Sequence, residues 1–298
     1  MTTPATSGPQ PSSGRYTPLY EAQNASRYER QKLIREYQEK YTCCLIVVSS
    51  FIYDFSQVYF EELVHDCDPG VDLHVMLTSP GGDGETALRI ARSLQQRCRD
   101  LVVVLPDQAK SAATLLALGA HKILMGPFGD LGPVDPQLFL SGQPGGQSMF
   151  VSAKDIIAAV EDASTRIQAA PESYPLWASL FSNITGITVQ QARAAIQRSG
   201  DLLREALAAN PNRTADEVDE LQANLKGALI DNPSSHGAVF GADDALKAGL
   251  PVAKLDPAGD QWHEIWRLWG RYAIIPDVAI YEGARGSQVF STRLSAAP

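Results

Sequence analysis

A serine directly before a helix of small residues is the first candidate for chemistry in this chain. Ser111 lies between a predicted strand, Leu101–Leu105, and a predicted helix, 111–118. In that position its hydroxyl is exposed, and the backbone N–H of Ala112 faces the same point. This arrangement is typical of nucleophilic attack on a carbonyl carbon. A serine in this position is also a common N-cap, so the spacing alone leaves both interpretations open.

A pair of glycines follows another predicted strand, Asp72–Thr78. Gly81 and Gly82 stand in the sequence Ser-Pro-Gly-Gly. Without side chains, their N–H groups can approach a substrate closely and stabilise a developing oxyanion. Both loops lie at the carboxyl ends of strands, where open parallel sheets usually bind ligands. A Gly-Gly pair is also a common turn, and the spacing alone does not separate the two interpretations.

The first half of the chain alternates β-branched runs with amphipathic segments. The predicted strands are 44–50, 72–78, 101–105 and 122–125, and the predicted helices are 20–40, 56–67, 85–96 and 111–118. The first helix is rich in charged side chains, and we expect it to be solvated. Strands joined by helical crossovers pair in parallel, so the predicted fold is a layered, parallel α/β sheet.

The second half of the chain is predicted to be mainly helical. A Gly- and Pro-rich connector, 126–146, is long enough to predict a binding loop. Helices are predicted over 152–168 and 241–249. Two further helices are predicted to begin at capping boxes, Thr188–Gln191 and Thr214–Glu217. Another helix is predicted around three tryptophans at helical spacing, at 262, 266 and 269. The stripe predicts a core or subunit interface. A hairpin of 278–281 and 289–292 closes the described pattern.

Composition excludes several classes of protein. The chain has 298 residues and a formal net charge of −9, which argues against nucleic acid as a partner. The longest apolar runs are too short to span a membrane. Four cysteines without a C-x-x-C motif disfavour a zinc site and a disulfide scaffold, so a reducing cytoplasm is expected. We expect no metal and no cofactor, and we interpret the other histidines, at 65, 74, 121 and 263, as structural or surface residues.

Four motifs together resemble one known family. They are Asn-Ala-Ser-Arg-Tyr-Glu-Arg at 24–30, Ser-Pro-Gly-Gly at 79–82, Ala-Lys-Ser-Ala-Ala-Thr at 109–114 and Leu-Gly-Pro-Val-Asp-Pro-Gln at 131–137. In content and order they resemble the serine dehydrogenase proteinase family, which belongs to the Clp-fold serine peptidases together with the signal peptide peptidase A type. The resemblance covers roughly residues 17–278.

The resemblance implies a fold and a set of roles. It implies a Clp or crotonase-like domain over 17–255, with a helical section at 170–230. The residues before it, 1–16, are rich in Pro, Ser, Thr and Gly and are predicted to form a disordered tail, and residues 256–298 are predicted to form a helix and hairpin extension. Ser111 would be the nucleophile, and the N–H groups of Gly82 and Ala112 would form the oxyanion hole beside Gly81. One departure is Ala113, where the family usually has glycine; its methyl group would narrow the pocket but leave the hydroxyl and both donors in place.

Three residues compete to activate the serine. Lys154 follows Ser111 at a spacing similar to that of the Ser–Lys dyads in the signal-peptide-peptidase branch, but it also fits a solvated lysine at a helix start. His236 precedes a segment similar to the closing strand and helix of the family, but a loop histidine is often merely exposed. Asp135 would orient either base, and Asp-Pro is also simply a turn. Lys110 is a poor candidate because side chains adjacent to the nucleophile diverge, and we expect it to contact solvent or substrate.

The resemblance implies a serine endopeptidase that acts on polypeptides and forms a homo-oligomer, a ring or a trimer-based assembly. Two alternatives stay open. The same fold hosts hydratases and isomerases of coenzyme A thioesters, which need no nucleophilic serine. A non-catalytic scaffold would bind peptides without turning them over.

Overall fold

A computed structural model describes residues 16–140, 149–232, 237–275 and 277–291. Its helices are α1 (Pro18–Tyr41), α2 (Ser56–Val64), α3 (Gly84–Gln95), α4 (Ala112–Leu118), α5 (Ala153–Ala169), α6 (Tyr174–Leu180), α7 (Gly186–Ala208), α8 (Ala215–Lys226), α9 (Ala242–Lys247) and α10 (Asp260–Ala273). Its strands are β1 (Cys43–Ser49), β2 (Asp72–Thr78), β3 (Leu101–Leu105), β4 (Gln108–Ala109), β5 (Lys122–Met125), β6 (Asp130–Leu131), β7 (Gln137–Leu140), β8 (Met149–Ser152), β9 (Phe240–Gly241), β10 (Val252–Lys254), β11 (Val278–Glu282) and β12 (Ser287–Ser291). The predicted tail at 1–16 lies outside this part of the chain, except for Tyr16.

A seven-stranded sheet crosses the centre in the order β10-β5-β3-β2-β1-β11-β12. The strands from β10 to β1 are parallel, and β11 pairs with β1 in the antiparallel direction. The predicted layered, parallel α/β fold is therefore confirmed. Because helices cover both faces of the central strands, those strands are apolar throughout, and every residue of β3 is buried.

The two faces of the sheet have separate hydrophobic cores. Residues of α2, α3, α4, α7 and α8 form the larger core on one face. Residues of α1 and α10 form the other core. The site described below lies at the carboxyl edge of the parallel strands, where the loops after β1, β2 and β3 meet.

Helix α1 is less solvated than its charge suggests. Leu33, Ile34 and Tyr37 are buried along one face. Arg30 is buried as well, and its Nε lies 2.6 Å from Glu282 Oε2 on β11. The expectation of a solvated helix was therefore wrong for the middle of this helix, because a narrow apolar stripe packs on the sheet while most positions stay polar.

The predicted binding loop at 126–146 contains regular structure. It includes β6 and β7, and residues 141–148 lie outside the described part of the chain. Strands β4, β6 and β9 form a small separate sheet in that order, and β7 pairs with β8 as a hairpin. The Gly and Pro residues thus separate short strands, and the role of this segment in binding stays a prediction.

One of the two predicted capping boxes was placed incorrectly. Helix α7 begins at Gly186, with Thr185 as its N-cap, and Thr188 is the third helical residue of that box. The sequence Thr-Val-Gln-Gln at 188–191 also fits the capping-box motif, so the pattern alone placed the start of this helix three residues too late. The box of Thr214 and Glu217 at the start of α8 is confirmed.

The predicted C-terminal helix and hairpin are present. Strands β11 and β12 form the hairpin, with Thr292 outside the described residues. In α10, Trp262 is buried whereas Trp266 is 45% exposed. The indole Nε1 of Trp269 donates to Thr78 Oγ1 at 3.1 Å. The stripe therefore contributes to the core and also leaves aromatic surface uncovered in this chain.

One pair of cysteines forms a disulfide bond, which the sequence analysis did not predict. Cys44 on β1 and Cys67 after α2 form a disulfide bond. Their Cα atoms are 5.9 Å apart because the turn after α2 returns to β1, a long-range approach that the cysteine spacing did not reveal. Among the described residues, no group of three or more metal-ligating side chains occurs, and no helix has both the length and the apolar character needed to cross a membrane.

Candidate active site

The backbone at Ser111 has an unusual conformation. Its φ is 51° and its ψ is −116°, a region that residues with a side chain rarely adopt. Such a conformation costs on the order of 1–3 kcal/mol and persists only where the surroundings enforce it. Ser111 occupies the N-cap position of α4, but its side chain makes no capping hydrogen bond. The hydroxyl is therefore turned away from the role that its position alone would predict.

Of the two glycines in the loop after β2, Gly81 packs directly against this turn and Gly82 packs against Ile52. Gly81 has a φ of 113°, and a Cβ placed on it would lie 2.7 Å from Ser111 Cβ. Gly82 has a φ of 137°, and a Cβ there would lie 2.1 Å from the carbonyl oxygen of Ile52. Both the conformation and the space exclude a side chain. The Gly-Gly pair is therefore needed to bring the loop after β2 against Ser111.

Two backbone N–H groups beside Ser111 are candidate oxyanion donors. The pairing of Ile52 with the glycine loop uses Gly81 C=O and Asp83 N–H, each at 2.8 Å, so the N–H of Gly82 points away from Ile52. Ala112 is the first helical residue and has no acceptor within its helix. Neither N–H donates to another residue in the described parts of the chain.

Gly81 differs from Gly82 in this respect. Its N–H donates to Ser79 Oγ at 3.1 Å. The sequence analysis grouped Gly81 with the oxyanion and substrate-binding residues. The hydrogen bond leaves Gly82 and Ala112 as the candidate donor pair, and Gly81 contributes through its lack of a side chain.

Asp135 and Lys154, the candidate orienting residue and a candidate base, lie close together. Lys154 Nζ is 3.7 Å from Asp135 Oδ1, and the two side chains are 22% and 5% exposed. The β7–β8 hairpin produces this contact, because Gln137 pairs with Ser152 and thereby places the start of α5 beside Asp135. Lys154 is therefore partly buried and paired, not a solvated lysine at a helix start.

Ser152 is a site residue that the sequence analysis did not identify. Its Oγ donates to Asp135 Oδ1 at 3.0 Å and accepts from Lys154 N–H at 3.2 Å. It caps α5 and at the same time orients the carboxylate. A serine at the start of a predicted helix was the available signal, but its contact with Asp135 depends on the hairpin.

The segment that carries Asp135 is bonded to the Ser111 turn. The backbone N–H of Ser111 donates to Pro133 C=O at 3.1 Å, and Val134 N–H donates to Leu229 C=O at 2.8 Å. Asp135 therefore follows, two residues on, the point where this segment meets Ser111. His236 lies outside the described residues, so its predicted role stays a prediction.

Lys110 was expected to contact solvent or substrate, but it is almost entirely shielded from solvent. It is 6% exposed. Its ammonium pairs with the Asp130 carboxylate and donates to Ala238 C=O at 3.2 Å. The expectation of solvent contact was wrong because β4 belongs to the small β4–β6–β9 sheet, which covers this side chain. Burial, and then the Asp130 carboxylate, raise the pKa of the nearby Asp107.

The remaining histidines have structural surroundings or are exposed. His74 is buried and lies 3.0 Å from the Tyr37 hydroxyl, and burial lowers its pKa to about 4. His121 Nδ1 accepts from Leu101 N–H at 2.9 Å. His65 and His263 are exposed.

Known proteins show where this sequence has relatives. Residues 25–167 match the family described as ClpP-like SDH-type serine proteinase. Two uncharacterized proteins of Methanocaldococcus jannaschii, MJ0137 and MJ1495, are 42% and 35% identical over 71 residues, which is 24% of this chain and 24% of each relative. The chain thus spans about a quarter of the length of the curated relatives that it matches.

A solved structure also aligns with the chain. It is an alanine mutant of a protein described as the 1510-N membrane-bound stomatin-specific protease. The alignment has 16% identity and a TM-score of 0.42, and it covers 76% of this chain and 83% of that chain. The family match spans β1 to β8 and includes the glycine loop, Ser111, Asp135 and Lys154. Residues 25–167, slightly less than half of the chain, are therefore similar to the ClpP-like SDH-type serine proteinases.

Proposed function

We propose that this chain is a serine peptidase that cleaves polypeptides through an acyl-enzyme on Ser111. The observation that carries the proposal is the positive-φ turn of Ser111, packed against Gly81, with two N–H groups beside it that have no acceptor in the described chain. A nucleophile next to preorganised donors is the arrangement that acyl transfer requires. The match of residues 25–167 to a family model of serine proteinases supports the same chemistry.

The proposed reaction has two halves. Ser111 Oγ attacks the peptide carbonyl carbon, its proton passes to the base, and the Gly82 and Ala112 N–H groups bind the resulting oxyanion. The C–N bond then breaks, the base returns the proton to the leaving amine, and the acyl group stays on Ser111 as an ester. Water, deprotonated by the same base, then attacks the ester carbonyl carbon. The C–O bond to Ser111 breaks, the base returns the proton to the serine oxygen, and the carboxylic acid product leaves.

We propose Lys154 as the base and Asp135 as the residue that orients it. Their separation of 3.7 Å, the partial burial of Lys154, and the bond between Ser111 N–H and the Asp135 segment support this choice. Ser152 also helps to hold the Asp135 carboxylate in place, because its hydroxyl donates a hydrogen bond to Oδ1. His236 is the alternative base.

The glycine loop also suggests how a substrate would bind. Since Ile52 uses only the groups flanking Gly82, the N–H and C=O of Gly82 itself face the opposite side. An extended peptide can pair with such an exposed backbone edge. We therefore propose that the substrate is an unfolded or extended polypeptide segment.

A fluorophosphonate probe, which labels activated serines, tests the proposal. The unmodified protein should be labelled on Ser111, as located by peptide mass spectrometry, and Ser111→Ala should lose labelling and at least about 10³-fold of its peptide hydrolysis. Ser179→Ala changes an exposed serine on α6 and should leave both unchanged. Unchanged peptide hydrolysis by Ser111→Ala would refute the proposal, and coenzyme A thioester turnover by that variant would favour the hydratase class instead.

A further inference from the structure

Lys110, the residue before the proposed nucleophile, is a buried lysine whose ammonium has two partners among the described residues. Its ammonium pairs with Asp130, whose side chain is 12% exposed, and donates to Ala238 C=O. Lysine is rarely buried without such pairing, because removing an ammonium from water is costly. A buried ion pair seldom stabilises a protein more than apolar side chains of the same volume would. The pair therefore suggests a role beyond stability.

The Lys110 side chain links all three strands of the small sheet. The residue follows β4, its carboxylate partner is on β6, and Ala238 lies two residues before β9. Its aliphatic stem passes over Gly132, where a Cβ would lie 2.1 Å from Lys110 Cδ. Ionic, hydrogen-bonding and steric contacts thus fix the whole side chain.

The Lys110 backbone connects this anchor to both halves of the proposed site. Its N–H donates to Ser79 C=O at 3.0 Å, which ties it to the strand that leads into Gly81. Its C=O accepts from Ala113 N–H at 2.9 Å, at the start of the helix after Ser111. A displacement of Lys110 would therefore move the nucleophile and the glycine loop relative to each other.

The Asp130 carboxylate needs Lys110 as its counterion. The second oxygen of Asp130, Oδ1, is buried and has no hydrogen-bond partner among the described residues. The neighbouring Asp107 adds a second carboxylate, which raises the cost of leaving Asp130 unpaired. Without Lys110, the described surroundings of Asp130 contain no other cation that contacts it.

We propose that Lys110 is a positioning residue. Its ion pair with Asp130 and its bond to Ala238 hold the Ser111 turn in the positive-φ conformation that aligns the hydroxyl with the Gly82 and Ala112 N–H groups. This inference rests on the proposed function, because it assigns Lys110 a role in the reactivity of Ser111.

The experiment compares the rate of fluorophosphonate labelling per folded molecule, and the kcat and KM for a fluorogenic peptide, at a temperature well below unfolding. Lys110→Met should label Ser111 about 10- to 100-fold more slowly, and kcat should fall while KM stays within twofold. The double variant Lys110→Met with Asp130→Leu removes both charges and should regain thermal stability. It should nevertheless stay slow, because apolar packing supplies no directional bond to the turn.

Arg30→Met is the matched control, since it breaks a buried ion pair on the other face of the sheet. It should lower the unfolding temperature but leave the labelling rate within twofold. If Lys110→Met fails to fold, the double variant gives the answer on its own. Wild-type labelling of the double variant, or of a folded Lys110→Met, would overturn the positioning role. Absence of labelling in the unmodified protein would instead refute the proposed function, and this inference with it.

Discussion

Replacing Gly81 with alanine should place a methyl group directly against Ser111 in the proposed site. The new Cβ would lie 2.7 Å from Ser111 Cβ, whereas ordinary contacts begin at 3.4 Å, so the two loops must separate by 3.4 − 2.7 = 0.7 Å. A side chain at a φ of 113° adds backbone strain. Strain and overpacking together should lower the free energy of unfolding by about 2–6 kcal/mol. A shift of this size at a nucleophile should slow its reaction about 10- to 100-fold.

Two measurements check this prediction. Urea unfolding gives the loss of stability, and the rate of fluorophosphonate labelling at Ser111, measured on folded protein, gives the loss of reactivity. Gly200→Ala is the control, because a Cβ there meets nothing within 4 Å. In the helix α7 this control should be neutral or stabilising by up to about 1 kcal/mol. A Gly81→Ala protein that labels as fast as the unmodified one would refute the claim that close packing of this glycine aligns Ser111.

Three further predictions concern the base, pH and assembly. Because a lysine base acts as the free amine, hydrolysis should keep rising into alkaline pH. Lys154→Ala should lose most of the activity, whereas His236→Ala should not. Burial lowers the pKa of His74 to about 4 in the folded protein, whereas an unfolded histidine has a pKa of about 6.5. Between these values the unfolded state binds a proton that the folded state does not, so the free energy of unfolding should fall by about 2–3 kcal/mol from pH 6.5 to pH 4. His74→Gln should flatten that part of a urea-unfolding profile. Light scattering should report an oligomer, and truncation after Asp256 should disrupt it.

Opposite results would contradict each of these predictions. A pH profile that is flat above about pH 7, with a nearly normal Lys154→Ala enzyme, would move the role of base to His236. An unchanged pH dependence of stability in His74→Gln would show that another group causes the acid instability. A single species near 32 kDa in light scattering would contradict the oligomer.

Local patterns predicted the central strands well because burial on both faces requires a continuous apolar run. The bounds of β2, β3 and β5 follow the predicted ranges for that reason. The location of Ser111 and Gly82 at one edge of the sheet was also predictable, since the strands of a parallel sheet end at the same edge. The strained conformation of Ser111 was not, because it results from contacts with other loops.

Long-range polar contacts were outside the reach of sequence patterns. The burial of Lys110 depends on Asp130, 20 residues away in the chain, and on a small sheet formed by two-residue strands. The contact of Ser152 with Asp135 depends on a hairpin whose register no local motif encodes. Contacts of this kind can be identified only once the fold has brought the two residues together.

The pairing of β11 with β1 has a consequence for the order in which the protein is made. Strand β1 is synthesised early, but its neighbour on one side, Val278–Glu282, emerges from the ribosome more than 200 residues later. Until then β1 is an apolar edge strand with unpaired backbone groups, a structure prone to intermolecular association. Arg30 has no carboxylate from Glu282 to pair with during the same interval. Chains interrupted late in translation should therefore aggregate, even though they already contain the whole segment that matches the proteinase family.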